Sequence, residues 1–229
     1  RHRWRKDACP GSAREEEKYP DHVSKYALEG TFYHEIAAQC LIENVDAKDY
    51  QSLDLALEIG NHWPEPTEEG LASVQVYLDT VRDVLKRLKG ELFVERKLQI
   101  STDHWGTVDA AIWSPSQNIL TVIDYKHGKG VKVNVENNSQ LKSYALGAWN
   151  IVNDKYNVQE VELVIVQPRA GGEPVKRWSV DQDTFLCWID ELDWDIEAAL
   201  DPDAPLNPGS WCKFCKAAPC NSFLFKFIL

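Results

Sequence analysis

The apolar and polar positions of this chain follow two rhythms, one helical and one of strands. From Ser24 to Asn44, residues Ala27, Phe32, Ile36, Ala37, Cys40 and Leu41 recur at roughly helical spacing, which predicts a first long helix. A longer stripe of Leu71, Val74, Val76, Tyr77, Val81, Val84, Leu85 and Leu88 predicts a second helix over Glu68–Lys89, stopped by Gly90. The stretch between them, rich in Asp, Glu, Pro and Gly, predicts a short helix at Gln51–Leu57 and then a loop. Beyond Gly90 the rhythm shortens. Glu91–Ile100, Gly106–Trp113 and Leu120–Asp124 are runs of apolar and β-branched residues that predict strands, with Ser114-Pro-Ser-Gln-Asn118 returning the chain as a hairpin. A helix over Ser139–Asn153, a buried strand over Val161–Gln167, a turn at Arg169–Pro174 and an edge strand over Val175–Val180 follow. Asp183–Leu200 predicts an acidic amphipathic helix with Phe185, Leu186, Trp188, Ile189, Leu192, Ile196 and Leu200 turned inward and its carboxylates solvated. Residues 1–22 read as irregular, with a turn at Cys9–Ser12, and Asp201–Gly209 as a linker.

Composition narrows the class. A hydrophobic fraction of 44% over 229 residues suits one globular domain of good size and excludes wholesale disorder. No apolar run reaches the roughly 18 residues of a membrane span, and no signal-peptide pattern opens the sequence. The net charge of −11 counts against a protein that coats nucleic acid unspecifically. It does not exclude a nuclease, whose acidic ligands are offset by metal. Two local basic runs remain as possible DNA contacts, Arg1-His-Arg-Trp-Arg-Lys6 and Lys126-His-Gly-Lys129 with Lys132. The absence of Met implies that Arg1 is not the native start, or that methionines are missing from the sequence and some spacings are short by one.

The candidate chemistry sits in the strand region. Strand side chains alternate faces, so Asp124 and Lys126 share a side and Tyr125 points the other way. The hairpin loop brings Asp109 near Asp124, and two carboxylates and a lysine then converge at a strand end. Carboxylates are hard oxygen ligands suited to Mg²⁺ or Mn²⁺. A lysine beside them can orient or help deprotonate a metal-bound water.

Three motifs in order, Gly106…Asp109, Asp124-Tyr-Lys126 and Gln140…Tyr144, resemble the G-x-x-D, D-x-K and Q-x-x-x-Y of the PD-(D/E)XK nuclease superfamily in its RecB-like branch. Gly30-Thr-Phe-Tyr-His34 matches that branch's G-x-x-x-H, and His2-Arg-Trp4 with Cys9-Pro-Gly-Ser12 resembles the opening of a phage-borne group within it. The resemblance runs from Cys9 to Cys220. It implies an α/β fold with a mixed central sheet flanked by helices, in one domain over residues 1–229: a helical part at 24–90, a catalytic core at 91–200 and a tail at 201–229. It implies that Asp109, Asp124 and the backbone carbonyl of Tyr125 hold one or two Mg²⁺ or Mn²⁺ ions, with His34 as a further ligand. Lys126 would hold the attacking water, and Gln140 and Tyr144 would position substrate and lysine. Glu95 stands where relatives carry a further acidic residue, and pairing with Lys97 is its alternative. The implied activity is a metal-dependent DNA exonuclease acting on single-stranded DNA or DNA ends in recombination or repair, in the cytoplasm of a bacterial host. Trp4 or Trp105 could stack on bases, and a helicase or recombinase could be a partner. The alternative is a catalytically silent DNA-binding or assembly module.

Three of the six cysteines lie close together as Cys212, Cys215 and Cys220, spaced C-x₂-C-x₄-C. Without a secretion signal this favours a metal site over disulfides. A fourth ligand could come from Cys9, Cys40 or Cys187. Cys9 lies in a turn, whereas Cys40 and Cys187 fall on amphipathic helices as core thiols. The iron–sulfur members of the RecB-like branch carry one cysteine before the nuclease core and three after it, an order that Cys9 with Cys212, Cys215 and Cys220 reproduces. The resemblance implies a [4Fe-4S] cluster that ties the two ends of the chain. The last gap is one residue shorter than that pattern, and structural zinc, which Cys₄ sites also suit, or free thiols are the alternatives.

Overall fold

The computed structural model describes residues 4–5, 7–20, 24–52, 65–102, 104–152, 157–217 and 220. The expected helix at Gln51–Leu57 lies largely outside them; a 3₁₀ turn runs through Ala47–Ser52. The chain forms two compact units, residues 24–185 and residues 1–23 with 186–229.

The larger unit is built on a five-stranded mixed sheet in sequential order: β1 (Glu91–Gln99), β2 (Trp105–Ser114), β3 (Ile119–Tyr125), β4 (Glu160–Val166) and β5 (Val175–Asp181). The β1–β2, β2–β3 and β4–β5 pairs are antiparallel and the β3–β4 pair is parallel. A parallel pair needs a long crossover, and the helix Ser139–Ile151 supplies it. Numbered in chain order, the helices are α1 (Ser12–Glu16), α2 (Lys25–Glu43), α3 (Glu68–Leu88), α4 (Ser139–Ile151) and α5 (Gln182–Leu200).

Both faces of the sheet are covered. One packs on α2 and α3, with Ile36, Tyr77, Val81, Ile112, Ile123, Tyr125, Val164 and Val166 in a common buried core. The alternate residues of β3, which include Asp124, turn toward α4. Local chemistry fixes the helix ends. Ser24 caps α2 by accepting the Ala27 N–H at 3.1 Å, and Thr67 caps α3 by accepting the Gly70 N–H at 3.0 Å. Glu68 and Glu69 open α3, and Lys86 and Arg87 close it, matching the helix dipole. Lys89 takes the left-handed C-cap. Gly90 has a different duty: a Cβ there would lie 2.4 Å from the Trp113 carbonyl oxygen, so the chain needs glycine to enter β1.

α5 departs from its expected face. Phe185, Trp188 and Leu192 are buried, but Leu186 and Leu200 are exposed, as is Cys187. Residues three and seven apart make a stripe narrower than the apolar positions alone suggest. The edge-strand reading of β5 holds. Residues 12–16, read as irregular, form the single turn α1.

Candidate metal centre

Asp109 comes from the middle of β2, where β3 pairs only from Ala110 onward. The Tyr125 N–H donates to Asp109 Oδ2 at 2.7 Å, fixing the carboxylate. The other oxygen, Oδ1, lies 3.4 Å from Nδ1 of His34 on α2. Across the strand pair, Glu95 interrupts β1 with a φ of +44°, a left-handed conformation that costs a non-glycine residue on the order of 1 kcal/mol. Its carboxylate meets the same point. One ligand atom from each of His34, Glu95 and Asp109 falls within 4.8 Å of the others, and among the described residues no other His, Cys, Asp or Glu trio does so.

Asp124 is 2% exposed and stands beside this trio on β3. Lys126 Nζ donates to Asp124 Oδ1 at 3.0 Å and to Gln140 Oε1 at 2.9 Å, and Gln140 Nε2 donates to the Tyr144 hydroxyl at 2.8 Å. Lys126 Nζ also lies 2.8 Å from Asp124 Oδ2, but no hydrogen bond is directed at that buried oxygen. The Lys126 ammonium is the cation that this oxygen faces. Asn138 caps α4 by accepting the Gln140 and Leu141 N–H groups at 3.1 Å, which sets Gln140 and Tyr144 one turn apart on one face. Gly106 completes the arrangement: a Cβ there would lie 2.7 Å from Tyr144 Cε1. The first and third motifs thus meet in space.

The electrostatics fit a site short of positive charge. Burial pushes the Asp124 carboxyl up, opposed by Lys126 and reinforced by Asp109. Glu95 is raised to about 7 by burial and by Asp109. Burial works against the charged forms of Lys126 and His34, but Asp124 outweighs it for the lysine and Asp109 for the histidine, and both are raised. Carboxylates suit Mg²⁺ or Mn²⁺, and an imidazole, a softer ligand, tilts the set toward Mn²⁺.

Asp109, Asp124, Lys126, Gln140 and Tyr144 of the three expected motifs therefore gather at one place, together with His34. Glu95 joins the trio instead of pairing with Lys97, whose Nζ lies 5.9 Å over the Trp105 ring. No local pattern announces the network behind the site. Tyr125 points away from Asp124, as expected. Its hydroxyl is 2.8 Å from Ser73 Oγ and 2.9 Å from His127 Nδ1. The Nε2 of His127 lies 3.1 Å from Glu29 Oε1, and Arg169 reaches both His127 and that oxygen, the latter at 3.0 Å. The His127 ring stacks on Tyr33, centroids 4.0 Å apart. His127, part of a basic run read as a possible DNA contact, is therefore buried. Burial, then Arg169, lowers its pKa to about 4. Of the basic runs, Lys129 pairs with Glu69 at 2.6 Å and Arg5 pairs with Asp7, while residues 1–3 and Lys6 lie outside the described chain.

The smaller unit holds every cysteine except Cys40. Cys9, Cys212, Cys215 and Cys220 line one pocket with Pro208 and Trp211. The Asn207 N–H donates to Cys9 Sγ and the Gly209 N–H to Cys212 Sγ, each at 3.3 Å. Burial pushes the Cys9 thiol up, with Cys212 and Cys220 adding to it. The sulfurs do not reach the three-atom spacing of the His34 trio. Cys40, fully buried at the end of α2, is a core thiol.

A solved structure titled "Crystal structure of SSO0001" is similar to this chain at 13% identity with a TM-score of 0.33, over 91% of this chain and 93% of that one. No helix among the described residues is long and apolar enough to cross a membrane. A family model described as a protein of unknown function (DUF2800) matches residues 1–222, and the chain belongs to that family.

Proposed function

We propose that this protein is a Mg²⁺- or Mn²⁺-dependent deoxyribonuclease, an exonuclease acting on DNA ends in the cytoplasm of a bacterial host. The observation that carries the reading is the convergence of His34, Glu95 and Asp109 beside the Asp124–Lys126–Gln140–Tyr144 chain. His34, Glu95, Asp109 and Asp124 would hold the ion, with the Tyr125 carbonyl as a further ligand. A bound ion would supply charge stabilisation at the phosphate and an acidified water. Lys126, kept protonated by Asp124, donates to the water oxygen or the phosphate rather than acting as a base. Gln140 and Tyr144 hold the ammonium in place. The Tyr125 N–H keeps Asp109 Oδ1 aimed at the His34 side. Hydrolysis forms one P–O bond from water and breaks one ester P–O bond.

In the smaller unit we propose a [4Fe-4S] cluster held by Cys9, Cys212, Cys215 and Cys220. Four cysteines around one pocket, two of them accepting backbone N–H groups, support a Cys₄ metal site, and the order of the cysteines along the chain supports the cluster over zinc.

The test is cleavage of end-labelled DNA with Mn²⁺, Mg²⁺ or EDTA, using anaerobically purified protein whose iron, sulfide and 350–450 nm absorption are measured first. Metal-dependent loss of label, abolished in a folded Asp124→Ala variant, is the expected result. Cleavage retained in that variant would refute the site. Stoichiometric zinc without iron would refute the cluster.

A further inference from the structure

We infer that the Ser12 hydroxyl donates a hydrogen bond to an inorganic sulfide of the cluster in the smaller unit, and so raises the cluster's reduction potential. The inference rests on the [4Fe-4S] reading above and adds a residue to which the order of the cysteines does not point.

Ser12 is 2% exposed and lines the same pocket as Cys9, Cys212, Cys215 and Cys220. Its Oγ is buried and makes no hydrogen bond. Among the described residues of the smaller unit, no other buried side-chain nitrogen or oxygen is in that state. A buried hydroxyl without a partner carries a desolvation cost that alanine, one atom smaller, would not. Glu15, which lines the pocket as well, is already paired with Lys18 at 2.6 Å.

The backbone of Ser12 is pinned at the pocket wall. Its N–H donates to the Cys9 carbonyl at 2.9 Å, and the Gly11 N–H donates to the Pro205 carbonyl at 3.0 Å. The Arg14 guanidinium donates to the carbonyls of Asp201 and Ala204, each at 3.3 Å. A Cβ at Gly11 would lie 2.5 Å from the Ala204 oxygen, so the two segments meet backbone to backbone.

The chemistry of the occupant decides what the hydroxyl can meet. No cysteine sulfur accepts its hydrogen bond. A zinc ion brings no acceptor of its own and would leave the hydroxyl as it stands. A [4Fe-4S] cluster brings inorganic sulfides, which carry lone pairs and negative charge. Two thiolates have backbone donors already, Asn207 N–H at Cys9 Sγ and Gly209 N–H at Cys212 Sγ, each at 3.3 Å. Ser12 adds a donor for the cluster's own sulfur. A hydrogen bond to sulfur is stronger when the cluster holds the extra electron, because charge on the acceptor strengthens it. The reduced form gains more, and the potential rises.

The test compares full-length wild-type and Ser12→Ala proteins, purified anaerobically, with iron and sulfide counted first. Both should carry the cluster. In a titration with dithionite, one electron passes to each cluster and EPR reads the reduced form. Ser12→Ala should be harder to reduce by about tenfold in the ratio of reduced to oxidised cluster, a downward shift of about 59 mV. Pulsed EPR of the reduced proteins in deuterated water should show one exchangeable deuteron fewer near the cluster in the variant. A potential or a deuteron signal unmoved by the substitution overturns the inference and leaves the cluster reading standing. So does a wild-type cluster that dithionite does not reduce. A variant that binds no iron makes Ser12 a requirement of assembly and overturns its role in the potential. Stoichiometric zinc without iron in the wild-type protein sinks the cluster reading and the inference with it.

Discussion

Asp124 and Tyr125 are neighbours on one strand and face opposite worlds. On the Tyr125 side, hydroxyl, imidazole, carboxylate and guanidinium form an unbroken relay from Ser73 to Arg169. On the Asp124 side, three carboxylates and a histidine crowd together, two of the carboxyls are held above their usual range, and one buried oxygen receives no hydrogen bond. That relay pairs opposite charges and closes on its own groups except at Arg169 Nε, which makes no hydrogen bond and lies 3.5 Å from Glu69 Oε1. A cluster that keeps like charges together bears their repulsion, and an ion bound as proposed above would relieve it. The difference is one of charge: paired groups on one side, carboxylates set against one another on the other.

Substitutions can break this contrast. The largest effect is expected at Asp109. Asp109→Asn should lower Mn²⁺-dependent cleavage on the order of 10³-fold or more, the scale of losing a preorganised electrostatic group. Its melting temperature without metal should not fall, because one repelling charge is gone. A large loss of stability instead would move Asp109 to the structural side.

Tyr125→Phe should do the reverse. It strands Ser73 Oγ and His127 Nδ1 in the interior and should cost about 1–3 kcal/mol by chemical denaturation. Cleavage by the metal-saturated variant should stay within about threefold of wild type.

Glu95→Gln tests the repulsion by pH. The folded pKa of Glu95, about 7, lies above its ordinary value. The folded state therefore binds the proton more tightly, and its stability falls as pH rises toward and through 7. Removing the charge should raise the metal-free stability at pH 8 by about 1 kcal/mol, a value discounted for solvent around an exposed residue. It should have almost no effect near pH 4.5. Thermal melts at the two pH values decide it, and an equal shift at both would remove Glu95 from the cluster. Saturating Mn²⁺ should cancel the gain, because the ion binds the ionised form.

The smallest effect is expected at Tyr144→Phe, which removes one hydrogen bond to Gln140. Cleavage should drop roughly 2- to 10-fold, with substrate affinity little changed.

How much of this was legible in the sequence follows from the distance between cause and effect. Asp124, Tyr125 and Lys126 were readable because strand alternation alone assigns their sides. Gln140 and Tyr144 were readable because one helical turn sets them together. Glu95 was only half readable: it reaches the trio through a left-handed backbone angle that no local pattern announces. The relay behind Tyr125 was invisible, because it joins Glu29 to His127 across 98 positions and to Arg169 across 140. Along α5 the apolar count overstated the buried stripe. Leu186, Cys187 and Leu200 look like core residues until the packing leaves them outside. The order of the cysteines was readable, and their shared pocket follows from residues 9 and 212–220 lying in the same unit.

The contact of Gly106 with Tyr144 carries a consequence for descent as well as for packing. With only 2.7 Å between a would-be Cβ and the phenol ring, the two positions cannot drift separately. A lineage that acquires alanine at 106 must shrink or re-aim the residue at 144, and so loosen the grip on Gln140 and Lys126. Among related chains, glycine at the one place should travel with tyrosine at the other, and the pair should be lost together wherever the lysine is no longer kept in position.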